Sequence, residues 1–432
     1  QAPLALTNVV ATAAAFNGLA FTTTSAAATS IAITGGKFKG VARGIHFPTI
    51  VNVGTAITLT GVDVEATGTT DPAFHVIGAL AGSLAVTGGT FTQPDTNREA
   101  IWLQGIITGA VTISGATANS GGTAILFTNL QAPVAITNVV ATAALAYNGL
   151  VFLATSAAAT SIDITGGSFT GVARGIYFVG AVDAATTITL SAVTATGGSN
   201  GALEFNGQID GAVNVVGRSK LVGGKEAVKF ATLVSATGSV RFENTEVDNV
   251  GQTGHPLVSF LAALNGNLVV KQCTLKAEAS AVHLAADLAG KIRLSANTIT
   301  SATGDGLSLF SLTAGSVSVK LGSIPSTLTS VMTVSNVVDA TSAVAIDSVT
   351  GVAATSGVNI AGATFAGTLA ITRGSLTSTS GAAVLVSAAL SGTLRIQSSN
   401  VVSTGSHGVD VTGLLTGKVE VKGGSVSGNT GN

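Results

Sequence analysis

The chain has 432 residues, of which 46% are hydrophobic and 9% charged, and its formal net charge is −1. So weak a field offers nothing to recruit nucleic acid or an anionic surface. No stretch approaches the roughly 18 uninterrupted apolar residues of a membrane-spanning helix, runs of about four or five residues fall short of the strands a membrane barrel needs, and a lone cysteine, Cys273, excludes an internal disulfide.

Taken in chain order, the elements repeat. Apolar-x-apolar runs begin at Leu4, Ile31, Ile57, Leu84, Val111, Val134, Ile162, Ile188, Val213, Val240, Leu268, Ile292, Val317, Val344, Leu369, Leu394 and Val419. These are about 17 starts some 25 residues apart, the mark of a repeat architecture. Side chains alternate faces along a strand, so the first and third residues of each run point inward: Leu4 with Leu6, Ile31 with Ile33, Val240 with Phe242. A corner follows each run, then a shorter element marked by Phe38, Phe91, Phe169 or Val426. A third strand led by Gly completes the turn at 18–21, 44–47, 149–152, 175–178 and 408–411. Helical periodicity is sustained nowhere.

Three short strands and three corners per turn predict an all-β fold, a parallel β-solenoid of about 17 turns and triangular section. The 55 glycines suit tight corners, and the β-branched residues suit pleated faces. No linker or charge run breaks the register, so residues 1–432 read as one continuous solenoid, roughly 80 Å long at about 4.8 Å per stacked strand. A longer period lies on top: residues 1–47 recur at 131–178 with one inserted residue, down to outward-facing Arg43 and Arg174, as a duplicated block would. A start at Gln1 reads as a mature product from which a secretory signal has been removed. Low charge, abundant Thr and Ser and the lack of any Asn-x-Ser/Thr acceptor complete the expectation of an extracellular or cell-surface protein without N-glycans.

Function, on such a scaffold, is written in the outward columns. Position four of the first strand carries hydroxyls at Thr7, Thr34, Thr60, Thr87, Ser114, Thr137, Thr165 and Ser191. This ladder resembles the Thr arrays of β-solenoid ice-binding proteins. Its companion column, Ala5, Ala32, Thr58, Ala85, Thr112, Ala135 and Asp163, pairs hydroxyls only in places, and Thr is a good exposed strand residue in its own right. The third strand presents His46, His75, Trp102, Leu126, Val151 and Tyr177, aromatic or aliphatic on consecutive turns. A contiguous exposed apolar strip marks a partner or ligand site, and lateral packing against another copy is the expected use, with sugar stacking on Trp102 and Tyr177 as the alternative. The first turn opens at once with Leu4 and Leu6, and the last stops at Val419 and Val421 short of a third strand, so bare edges predict end-to-end stacking of copies.

The repeated rung with its Gly-led third strands, over essentially the whole chain, resembles the right-handed parallel β-helices of the pectin-lyase-like superfamily, in their non-catalytic surface or structural form. Enzymes of that superfamily use clustered acidic calcium ligands with a catalytic Arg or Lys, or grouped Asp residues near His and Arg. Here the 20 Asp and Glu are scattered, mostly singly. His407 occupies a corner position that Asn17, Arg43, Asn148 and Ser356 fill elsewhere, and His46 and His75 have no third ligand in their column. Cys273 reads as a small packing residue at a corner, and Arg241, Glu243, Glu246 and Asp248 as surface ion pairs. No catalytic residue, cofactor or metal is expected. The expected function is that of an extracellular structural protein that assembles with itself into a filament or surface layer, with no nucleic-acid partner and no membrane insertion. A carbohydrate-binding or adhesin-type β-helix is the alternative, and a polysaccharide-degrading enzyme a more distant one.

Overall fold

The computed structural model describes residues 3–22, 29–155, 160–249, 251–325 and 329–429, and every regular element among them is a β-strand. The chain divides into two compact units, Gln1–Gly224 and Lys225–Asn432. Each is a parallel β-solenoid, and together they hold about 16 turns.

Within each unit the expected register holds position by position. In the first, Leu4 pairs with Ile31, and the column continues through Ile57, Leu84, Val111, Val134, Ile162 and Ile188 to Val213. In the second, Val240 leads through Leu268, Ile292, Val317, Val344, Leu369 and Leu394 to Val419. Third strands stack in the same way, from Leu19 to Leu203 and from Val228 to Val409. The inward positions of these first and third strands are apolar, so a slip of one residue would turn a whole strand's core face to water. That penalty fixes the register.

Like stacks on like. Phe127, Phe152, Phe178 and Phe205 form a column of rings 4.9, 4.9 and 4.8 Å apart, all within 11° of parallel. Strand pairing imposes the ring spacing, because parallel strands lie about 4.8 Å apart. In the second unit Phe230 and Phe260 repeat the arrangement at 4.5 Å.

To the three expected strands the structure adds a fourth inward contact. Between the third strand and the next first strand, one residue per turn forms an isolated parallel bridge, as at Val51, Leu80, Ile107 and Leu130 in the first unit and Val234, Leu264, Leu288, Leu312 and Val338 in the second. All of these are buried. A single residue has no alternation, so the period-two pattern cannot reveal it.

The corner between the first and second strands needs a left-handed residue in turn after turn. Gly35, Gly61, Gly88, Gly115 and Gly166 supply it in the first unit, with φ of 59 to 65°. Asn8 and Asn138, equivalent residues of the duplicated block, both have φ 52°. Other turns force a side chain into the same conformation: Ala192 has φ 55°, Ala296 54° and Leu321 48°. Left-handed backbone brings a Cβ against the following carbonyl. Ala192 is exposed, so nothing in the packing requires its methyl group. Ala192→Gly is expected to stabilise the first unit by about 1 kcal/mol, read as a rise in the urea midpoint at unchanged slope.

Candidate functional site

His46, His75, Trp102, Leu126, Val151 and Tyr177 form one continuous outward column in the first unit, as expected, flanked by Ala20 and Glu204. It is not the open apolar strip that the sequence suggests. His46, His75, Leu126 and Val151 are 7%, 3%, 8% and 3% exposed, and Trp102 and Tyr177 are half-buried. Long side chains from the corner before the strand and from two residues beyond the column position fold across it.

Arg43 donates from Nε to Nδ1 of His75 at 3.1 Å and pairs through Nη2 with Asp71. Arginine only donates, so Nδ1 of His75 carries a lone pair, and the neutral ring holds its proton on Nε2, which donates to Oε1 of Gln104 at 2.9 Å. The His75 ring stacks on His46 at 5.7 Å and on Trp102 at 4.8 Å, the latter within 9° of parallel. Nε1 of Trp102 donates to Thr128 at 3.0 Å. Nδ2 of Asn17 reaches Nδ1 of His46 at 3.4 Å, while Nε2 of His46 is buried with no hydrogen-bond partner. Burial, reinforced by the Arg43 guanidinium, lowers the His46 pKa to about 4. Burial lowers His75 to about 4 as well, against the opposing pull of Gln104.

In-register stacking also occupies part of the platform a sugar ring would use. Trp102 is covered on one face by His75 and is paired on the other side with Leu126, and the guanidinium of Arg174 lies 4.2 Å above the ring of Tyr177. Each ring therefore has one face already occupied by a neighbouring side chain.

The two duplicated arginines have separate acids. Arg43 takes Asp71, and Arg174 takes Glu204 through Nε and, at 3.4 Å, Nη2. Each acid lies beyond the end of its copy of the block, so duplication carried the arginine alone. The Glu204 side chain is only 2% exposed, which makes its pair the more deeply buried of the two.

Sequence reasoning missed a groove of about 190 Å³ on the second-strand face of the first unit, lined by Lys37, Asp63, Val64, Glu65, Thr90 and Thr92. The pairing of Lys37 with Asp63 and of Asp63 with Thr90 stacks these side chains on three successive turns. Glu65 accepts from Lys39 at 2.6 Å and lies 3.1 Å from Lys37, and Lys39 first, then Lys37, hold its carboxyl below the usual carboxylate range. Laying 37–39, 63–65 and 90–92 over one another, with alternate residues outward, would have found it.

The remaining candidates fall where their chemistry puts them. The hydroxyl ladder from Thr7 to Ser191 is in register and lies exposed or half-buried. Arg241 pairs with Glu243, Lys271 with Glu243 at 2.8 Å and Lys276 with Glu246 at 2.7 Å, all on the surface of the second unit. Cys273 is buried at a corner, its main-chain N–H donates to Oδ1 of Asn297 at 2.9 Å, and burial raises its thiol pKa. His407 lies 3.7 Å from Asp410 at the surface.

No protein-family model, no curated protein and no solved structure matches this chain. Among the described residues, no group of three or more His, Cys, Asp and Glu is placed to hold a metal ion, and no helix is long and apolar enough to cross a membrane. At the outermost described turns, Leu4 and Val419 are each 38% exposed and Val421 is 55% exposed, while Leu6 is half-buried.

Proposed function

We propose that this chain is an extracellular structural solenoid of the pectin-lyase-like type that associates with copies of itself into a filament or layer. One observation supports the reading above others. First strands stack in parallel in one register, with apolar inward residues in kind on their neighbours, as Leu4 on Ile31 and Leu394 on Val419, so one edge of such a stack is a template for the other. A second copy seated on either edge would extend the backbone ladder and the apolar core together, and such a head-to-tail contact repeats without closing.

Negative-stain microscopy and light scattering of the 432-residue chain test this. Filaments or sheets that grow with concentration are expected, and Leu4→Asp with Val421→Asp is expected to abolish them while leaving the circular dichroism unchanged. A monodisperse monomer at every concentration would overturn the reading.

The second-strand groove favours a second reading, glycan binding. The carboxylate of Asp63, the Lys37 ammonium and the hydroxyls of Thr90 and Thr92 are groups that hydrogen-bond sugar hydroxyls. A glycan array scored against Asp63→Asn with Thr92→Val decides it: hits that vanish in the variant support it, and a blank array removes it.

A further inference from the structure

We propose that the buried stack of His46, His75 and Trp102, held down by Arg43, is an acid-released latch on the outer face of the first unit, in which proton uptake by the two imidazoles displaces Arg43 and uncovers Trp102. This goes beyond self-association and does not depend on it.

The geometry carries the proposal. His75 is held neutral by its partners: Nδ1 accepts from an arginine that can only donate, and Nε2–H is spent on Gln104. A proton added to Nδ1 would set N–H against N–H and cation against cation across 3.1 Å in a buried place. Proton uptake by His46 is no easier: Nδ1 faces the donating amide of Asn17, so an added proton would set N–H against N–H there too, and Nε2 is buried with nothing to receive its hydrogen. Two imidazolium rings 5.7 Å apart would also repel each other. The charged groups that face the pair are Arg43, Asp71 and the histidines themselves; Asn17 and Gln104 are neutral. Asp71 is already engaged by Arg43 and can neutralise only one cation.

The open state relieves all of these conflicts at once, because water solvates the imidazolium rings and Arg43 swings clear. What it exposes is apolar: the face of Trp102 on which His75 stacks.

The sign follows from the two states. An open, hydrated histidine takes its proton near 6.5, and the closed one only near 4, so falling pH favours the open form across that interval. Trp102 is the only tryptophan of the chain, and its fluorescence reports this site alone. Titrating the whole chain from pH 7.5 to 3.5 is expected to give a several-fold rise in acrylamide quenching of Trp102 and a red shift, with far-UV circular dichroism retained. His46→Asn combined with His75→Gln is expected to abolish the transition, and Asp71→Asn to leave it in place. In the unmodified chain, His46 and His75 should titrate by NMR below 6.5, together with the Trp102 transition. Three results would each overturn the latch: Trp102 protected down to pH 3.5, the same transition in the double histidine variant, or His46 and His75 titrating near 6.5.

Discussion

Phe178→Ala is expected to lower the stability of the first unit by about 3–5 kcal/mol, the range for deleting a buried ring from a packed core. Phe178 is 1% exposed and stacks on Phe152 and Phe205 at 4.9 and 4.8 Å, so its loss breaks two ring contacts and opens a void in the middle of a four-ring column. The neighbours cannot close that gap. Their positions are set by strand pairing at Ile176–Phe178 on both sides, and the ladder would have to break before the rings could move together. Turns in a solenoid are coupled mainly to their neighbours, so the damage should be local. Urea unfolding followed by circular dichroism is expected to show an early phase for the first unit, and hydrogen exchange should locate it around residues 150–205. A uniform loss across the chain would contradict nearest-neighbour coupling.

Arg174→Met is the second large effect, also about 3–5 kcal/mol, because it removes the guanidinium from a carboxylate that is almost wholly buried. Glu204 is 2% exposed at its side chain, and Arg174 both pairs with it and covers the ring of Tyr177. Removing one partner of a buried pair costs more than the pair itself contributes, so Arg174→Met with Glu204→Leu should recover most of the stability. The same substitution logic applied to the surface pair Lys271 and Glu243, which are 46% and 22% exposed, is expected to leave the unfolding midpoint nearly unchanged. Thermal unfolding of the four variants in each cycle measures both coupling energies. Equal couplings at the two sites would show that burial does not govern them.

Much of the fold was legible because alternation is a strong signal wherever two inward residues flank one outward residue. Leu4 with Leu6 and Val240 with Phe242 announce both strand and direction, and the paired columns follow that reading without a slip. The column from His46 to Tyr177 was legible as a column for the same reason. Its burial was not. Alternation gives the direction of a Cβ, whereas cover depends on where the ends of long side chains lie, and Arg43 reaches a full turn onward to His75 and Asp71. The bridge residues such as Val51 and Leu80 escaped because one residue makes no pattern. The groove at Lys37, Asp63 and Thr90 escaped because it exists only between turns, where each short strand by itself looks ordinary.

The described strands of the block 1–47 and of its copy 131–178 occupy the same registers within one unit. Insertion of such a cassette meets no foreign surface in the first-strand core, since those inward columns continue in kind above and below. A lineage can therefore change the length of this protein in whole turns at little cost to its interior, and novelty is left to the few outward arginines and acids that must find each other afresh. Orthologues of differing length, with junctions at the corners and charge pairs redrawn beside them, are the pattern such growth would leave.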